Sequence, residues 1–139
     1  MSPERFLRFG FFLGAAFQIQ DDLLNLVGDP VRYGKEIGGD LWEGKRTLML
    51  IHLHERASAA ERIELRRVLG RSREHRSAGE VAWIRERMEA YGSLEHARAM
   101  AHGLAGAAAH EFSLECADLP PSPDKEFLAA LPAWVLSRA

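Results

Sequence analysis

The chain has 139 residues, of which 47% are apolar and 27% are charged, and its formal net charge is −2. This balance is typical of a globular domain of ordinary size, and so small a net charge does not favour nucleic-acid binding. The single cysteine, Cys116, excludes an internal disulfide, so a reducing, cytoplasmic location is expected. The longest nearly apolar run, from Phe9 to Phe17, is too short for a membrane span.

The first predicted element is a helix over residues 3–27, which ends at the turn-forming sequence of residues 28–30. Apolar side chains point in every direction around this helix, which is typical of a helix at the centre of a bundle. Gly10 and Gly14 are four positions apart and therefore share one face. We expect that face to allow the close approach of another helix.

The rest of the chain also has a helical pattern. Helices are predicted over residues 40–57, 59–69, 78–91, 93–117 and 123–137. Capping boxes begin two of them, Ser58 with Glu61 and Ser77 with Glu80. The polar, basic segment 70–79 is expected to be an exposed connection. Because no strand pattern is present, the predicted class is all-α, with one domain over residues 1–139.

One polar stripe interrupts the apolar first helix. Gln18, Asp21, Asp22 and Asn25 stand at i, i+3, i+4 and i+7, which places them on one helix face. Burying two neighbouring carboxylates without a partner costs several kcal/mol. Three arrangements would remove that cost: an exposed helix end, ion pairs with Lys or Arg, or a hard cation bound by the oxygen atoms.

The stretch that follows favours the third arrangement. It supplies Lys35, Asp40, Lys45 and Arg46, spaced by glycines. In a magnesium–diphosphate site the acids hold the metal, the metal bridges phosphate oxygens, and lysines neutralise the remaining charge. Magnesium usually takes only one or two protein carboxylates and completes its shell with substrate phosphates and water. The sequence therefore predicts such a site around residues 18–47.

This region resembles the second aspartate-rich region of the trans-isoprenyl diphosphate synthases, the polyprenyl synthetase family. The resemblance is carried by GFFLGAAFQIQDDLLNLVGD and YGKEIGGDLWEGKRTLML. The matched positions are Phe17, Gln18, Ile19, Asp21, Asp22, Gly34, Lys35, Gly39, Asp40, Leu41, Gly44, Lys45 and Thr47. It covers essentially the whole chain but only part of the family fold. It implies a helical bundle that forms the C-terminal half of the isoprenoid synthase fold.

The resemblance also implies an activity. These enzymes are prenyltransferases that condense an allylic diphosphate with isopentenyl diphosphate, with Mg²⁺ as cofactor. Metal ions draw off the allylic diphosphate, the isopentenyl double bond attacks the resulting carbocation, and a proton is lost. By this resemblance Asp21 would be the main metal ligand and Asp22 would support it. Asp21, Asp22 and Lys35 would be the catalytic residues of this half.

Other matched positions imply substrate binding. Gln18 would lie near the cation and the diphosphate, and Lys35 would reach the allylic diphosphate from its loop. Asp40 and Lys45 would line the same rim. Phe17 would form part of the wall of the hydrocarbon tunnel.

The sequence departs from the family pattern in two ways. The third acid of the motif is replaced by Asn25, whose amide oxygen can accept a hydrogen bond or bind weakly but carries no charge. We keep Asn25 among the substrate-binding residues. The family's first aspartate-rich motif is not found anywhere in the 139 residues. The chain would therefore carry only half of the metal site.

Three interpretations follow from the missing motif. The chain is a fragment of a synthase, or the subunit of a split synthase completed by another polypeptide, or a non-catalytic helical interaction domain. Whether it is itself an enzyme stays open among these. The apolar first helix predicts association with a second copy or with a chain that supplies the N-terminal half.

Overall fold

The computed structural model describes residues 2–28 and 36–138. Within these ranges the chain forms α-helices, one short 3₁₀ turn at Arg73–His75, and no strand, so the all-α prediction is confirmed. The helices are α1 (Pro3–Val27), α2 (Gly39–Glu43), α3 (Leu48–Arg56), α4 (Ala59–Leu69), α5 (Ala78–Ala90), α6 (Ser93–Glu115) and α7 (Pro123–Ser137). None of the helices in this described part combines the length and apolar character that crossing a membrane requires.

Contacts divide the chain into two compact units, Met1–Asp21 with Arg98–Arg138, and Asp22–Ala97. In the first unit the rings of Phe9 and Phe112 pack with their centroids 5.3 Å apart. The core of the second unit is built from α3, α4 and α5. Its fully buried apolar side chains include Met49, Leu53, Leu65, Val68, Ile84 and Met88.

Two helices of the second unit begin at the predicted capping boxes. The Ser58 hydroxyl accepts a hydrogen bond from the Glu61 N–H, and the Glu61 carboxylate accepts one from the Ser58 N–H. Ser77 and Glu80 make the same reciprocal pair at the start of α5. Each box satisfies two backbone donors that the helix cannot pair internally, so α4 and α5 start at fixed residues.

The helix predicted over residues 40–57 is instead two helices, α2 and α3, separated by residues 44–47. Gly44 adopts a left-handed backbone conformation with φ of 70° and ends α2, a conformation that glycine tolerates best. The Thr47 hydroxyl accepts a hydrogen bond from the Leu50 N–H at 3.2 Å and begins α3. This break leaves Lys45 and Arg46 in a non-helical segment.

The sequence predicts that another helix approaches the face of α1 that carries Gly10 and Gly14. Among the described residues no helix packs there. A Cβ atom added at Gly10 or Gly14 would meet nothing within 4 Å. On the same side of the helix, Leu7 and Phe11 are each 71% exposed. This face is therefore open in the described part of the chain, and its coverage by a second copy or by a chain that supplies the N-terminal half stays a prediction.

Candidate functional site

Asp22 is a buried carboxylate with a lysine partner. It lies near the C-terminal end of α1, is only 7% exposed, and belongs to the second unit. The Lys45 ammonium donates a hydrogen bond to Asp22 Oδ1 at 2.6 Å. The same ammonium lies 3.8 Å from Asp40 Oδ2. A charge-assisted bond of this length offsets desolvation of the carboxylate, so Lys45 is a counter-ion that stabilises the buried Asp22.

Asn25, one turn after Asp22, holds the start of α2. Its side-chain oxygen accepts a hydrogen bond from the Asp40 N–H at 2.9 Å. Its amide nitrogen lies 3.5 Å from the Glu36 carbonyl oxygen and donates to it. The side chain is buried. An amide can donate and accept at once, which a carboxylate cannot, so the residue that replaces the third acid of the motif has a positioning role in the second unit.

Lys45 is placed by the segment between α2 and α3. Its N–H donates to the Asp40 carbonyl at 2.9 Å. The left-handed Gly44 turns the chain just before it, and Thr47 fixes the start of α3 two residues after it. The matched Gly, Lys and Thr of the sequence pattern therefore act together: two of them set the backbone and the third presents the ammonium to Asp22.

Arg76 is a structural residue of this region that the sequence did not reveal. The segment 70–79 was predicted to be an exposed connection, but the Arg76 side chain is buried. Its guanidinium donates to the Val68 carbonyl at 3.1 Å, the Leu69 carbonyl at 2.9 Å and the Trp42 carbonyl. It therefore ties the end of α4 to α2, and the prediction is wrong at this residue because carbonyl groups of both helices accept hydrogen bonds from its guanidinium.

The other predicted positions on α1 belong to the first unit. Gln18 is exposed and Asp21 is half-buried. The Phe17 ring is partly exposed and carries the Arg138 guanidinium 3.8 Å from its centroid, an arrangement typical of a cation–π contact. Arg138 also donates to the Phe17 carbonyl at 3.3 Å. One face of this ring is thus covered by a cation in this structure.

The predicted residues Gly34 and Lys35 lie outside the described residues. Within residues 2–28 and 36–138, no group of three His, Cys, Asp or Glu side chains is placed to hold a metal ion. The acids of the motif nevertheless offer hard oxygen ligands, which suit Mg²⁺. Since Mg²⁺ needs only one or two protein carboxylates when phosphates supply other ligands, the donor set fits a metal bound together with diphosphate.

A separate polar cluster in the second unit surrounds His52. Its Nδ1 lies 2.9 Å from Ser93 Oγ, and its ring stacks on His96 with centroids 4.3 Å apart. Burial, followed by the charges of His96 and Arg56, lowers the pKa of His52 below its usual value, while Glu55 acts in the opposite direction. The cluster therefore favours a neutral imidazole in the folded state.

Comparison with known proteins gives a consistent pattern. A family model described as Polyprenyl synthetase matches residues 2–88. The short chain isoprenyl diphosphate synthase of Methanothermobacter thermautotrophicus is 38% identical over 130 residues, which cover 94% of this chain and 38% of that protein. The matched residues include the whole acidic motif and the segment that carries Lys45.

Two solved structures have the same fold as this chain. A polyprenyl synthase from Caulobacter crescentus, complexed with calcium and isoprenyl diphosphate, has a TM-score of 0.80 and 30% identity, covering 98% of this chain and 40% of that one. A geranylgeranyl pyrophosphate synthase from Corynebacterium glutamicum, complexed with isoprenyl diphosphate and magnesium, has a TM-score of 0.78 and 28% identity, covering 99% and 39%. The isoprenoid synthase fold prediction is confirmed, and the chain spans about two fifths of these proteins' length.

Proposed function

Because this chain belongs to the polyprenyl synthetase family, we propose that it supplies the second metal- and diphosphate-binding half of a prenyltransferase. The reaction condenses an allylic diphosphate with isopentenyl diphosphate. The supporting observation is that Asp22, Asp40 and Lys45, all matched positions of the motif, meet in one unit of the structure. Residues 1–139 would form a single partial domain of such a synthase.

The two adjacent acids, Asp21 and Asp22, would have different roles. Asp22 is bonded to Lys45, so we assign metal binding chiefly to Asp21, with Asp22 acting by holding the lysine. Lys45 is 43% exposed on its side chain and would offer positive charge to a diphosphate while anchored at its carboxylate partner. Mg²⁺, when bound, would bridge phosphate oxygens and stabilise the charge of the leaving diphosphate.

The remaining residues would position the substrate. Asn25 holds the start of α2 and therefore the backbone of Asp40. Lys35 would approach the allylic diphosphate, and Gln18 would lie near the cation. Phe17 would form part of the wall of the hydrocarbon tunnel once the Arg138 guanidinium moves away from its ring. Precise placement of such groups supplies much of the rate in a reaction with little covalent chemistry by the protein.

A second candidate function is that of a helical interaction domain. Leu7 and Phe11, both largely exposed on α1, support it, because contiguous exposed apolar surface marks interaction sites. The partner would be a second copy or a chain carrying the N-terminal half of the fold. The two candidates agree on the partner and differ in whether the assembly transfers a prenyl group. For either candidate we propose a cytoplasmic location, supported by the lone Cys116.

A complementation assay tests the proposal. The chain is incubated with Mg²⁺, isopentenyl diphosphate and an allylic diphosphate, alone and with a polypeptide that carries the first aspartate-rich motif. We expect a longer prenyl diphosphate only in the mixture, and its loss with Asp21→Asn or Lys35→Ala. The two polypeptides could instead associate, form no product and bind no diphosphate in the presence of Mg²⁺. That result would contradict the prenyltransferase proposal and favour the helical interaction domain.

A further inference from the structure

A cleft of about 580 Å³ lies between α3 and α4 in the second unit. Its floor is apolar and includes Leu50, Leu65 and Leu69, while Arg46, His54 and Arg66 stand at its rim. The volume lies within the usual range for small-molecule sites, which are mostly apolar with a few polar groups. None of the residues assigned above to the diphosphate site lines it.

Two exposed arginines supply the positive charge at the rim of the cleft. Arg46 and Arg66 are exposed and have no ion-pair partner among the residues that the structure describes. Glu55 is the single carboxylate lining the cleft. Three nearby arginines are paired: Arg67 with Glu64, Arg71 with Glu80, and Arg73 with Glu36 and Glu43. The cleft therefore carries an excess of positive charge that this part of the protein does not compensate.

Lys45 and Arg46 are consecutive in the chain but belong to different sites, the proposed diphosphate site and the cleft. Lys45 contacts Asp22 and Asp40, whereas Arg46 lines the cleft. Both lie in the non-helical segment that follows Gly44. The cleft is therefore a separate site in the same unit, with its own cations.

We propose that this cleft binds a single soluble amphiphile that has a phosphate-type headgroup and a short aliphatic chain. The guanidinium groups of Arg46 and Arg66 bind the headgroup, since the planar fork of arginine matches phosphate oxygens. The aliphatic chain lies on the leucine floor and against Ile51, and its removal from water supplies the rest of the affinity. Charge complementarity selects an anion, and the apolar floor selects an attached chain over a free ion.

Octyl phosphate is the probe that tests this proposal. Its binding is measured by calorimetry in EDTA, so that no metal-dependent diphosphate site contributes. We expect one equivalent to bind, with at least about tenfold loss of affinity in Arg46→Ala/Arg66→Ala, equal to about 1.4 kcal/mol. Arg5→Ala/Arg85→Ala is the matched control, because it removes two exposed charges outside the cleft and should bind normally.

A separate variant tests the apolar part of the cleft. Ile51 is partly exposed at the cleft, so Ile51→Asn should weaken octyl phosphate without changing the weak binding of inorganic phosphate. Asp21→Asn should not alter either ligand, which separates this proposal from the prenyltransferase proposal. Unfolding curves of the variants confirm that they fold.

Three results would overturn the proposal. One is equal affinity of octyl phosphate for the wild type and the double arginine variant. Another is binding to vesicles of phosphatidic acid in phosphatidylcholine with no binding of monomeric octyl phosphate, which would indicate a membrane surface as the ligand. The third is arginine-dependent binding of a chain carrying the N-terminal half, with no octyl phosphate bound, which would make the cleft a protein contact.

Discussion

The ammonium of Lys45 lies 2.6 Å from the carboxylate of Asp22, although the two residues are 23 positions apart in the chain. This bond explains how one of two adjacent acids persists in an apolar helix. The carboxylate is nearly inaccessible to water, but the lysine side chain is 43% exposed. The pair is thus asymmetric: water reaches the Lys45 side chain, whereas the Asp22 carboxylate depends on protein partners such as Lys45.

The asymmetry predicts unequal effects of breaking the pair. Lys45→Met leaves a buried carboxylate without this partner, and we expect a loss of about 2 kcal/mol in the free energy of unfolding. Asp22→Asn leaves an exposed ammonium and should cost about 1 kcal/mol. The double variant should cost no more than Lys45→Met alone, because the coupling between the two sites is lost only once. Urea unfolding of the four proteins measures these values.

A surface ion pair provides the control for this cycle. Arg85 and Glu89 form an exposed pair at i,i+4 with a distance of 3.5 Å, and Arg85→Gln with Glu89→Gln should show a coupling near zero. Simple additivity of the Lys45 and Asp22 effects would mean that the 2.6 Å bond does not stabilise the fold.

Asn25 is predicted to stabilise the start of α2 through its contact with the Asp40 N–H. Asn25→Ala removes the acceptor and should cost about 1 kcal/mol, and the Asp40 amide should exchange faster with deuterium. Asn25→Asp keeps an acceptor oxygen, so the Asp40 amide should stay protected even though a further negative charge is added. Equal protection of this amide in Asn25→Ala and in the wild type would contradict the assignment.

Gly44 should be less replaceable than another left-handed glycine. Gly44 and Gly92 both have φ of 70°, so alanine at either position should cost about 1 kcal/mol for the backbone conformation alone. A Cβ at Gly44 would also lie 2.9 Å from Arg76 Nη2, whereas at Gly92 it would meet nothing within 4 Å. We expect Gly44→Ala to lower the midpoint of urea unfolding more than Gly92→Ala does. Equal midpoints would show that the Arg76 guanidinium can move away from the added Cβ atom without loss of stability.

The features that the sequence predicted are local ones. Both capping boxes could be predicted because their partners are three residues apart, and the acidic motif was recognisable as a pattern of residue types. The bond between Asp22 and Lys45 joins distant positions, so nothing local distinguishes Asp22 from Asp21. The helix break at Gly44 was missed because an isolated glycine is tolerated inside many helices.

Arg76 illustrates the same limit. In sequence it is one of several arginines in a polar segment, and Arg71 and Arg73 in that segment make surface ion pairs. Only Arg76 is buried against backbone carbonyls. Its role depends on where α4 ends relative to α2, which is a consequence of packing within the second unit and has no signature of its own.

The His52 cluster predicts a pH dependence of stability. The pKa of His52 is lowered in the folded state. The folded protein therefore binds a proton at this residue less readily than the unfolded chain does. The stabilisation is therefore complete above about pH 6.5, the usual histidine value, and is lost as the pH falls below it. His52→Asn should flatten the curve of unfolding free energy between about pH 5 and 7. His102→Asn, at an exposed position of α6, should leave the slope unchanged, and a wild-type slope in His52→Asn would contradict the prediction.

The open face of α1 predicts self-association of the isolated chain. Leu7 and Phe11 are each 71% exposed, and burying them against a second copy would remove apolar surface from water. Light scattering at micromolar concentration should show an oligomer, and Leu7→Glu/Phe11→Glu should shift it to monomer. Phe127→Glu, at another exposed apolar position of the same unit, should not. A wild-type monomer at this concentration would exclude this use of the face.

Calorimetric titration with pyrophosphate, in the presence and absence of Mg²⁺, most directly tests the claim that Asp21 binds metal and diphosphate while Asp22 holds Lys45. We expect binding that requires Mg²⁺, a loss of about tenfold or more in Asp21→Asn, equal to about 1.4 kcal/mol, and unchanged binding in Arg5→Ala. Binding of equal strength in Asp21→Asn and the wild type, or binding by neither of them with Mg²⁺ present, would contradict the proposed role of the acidic motif.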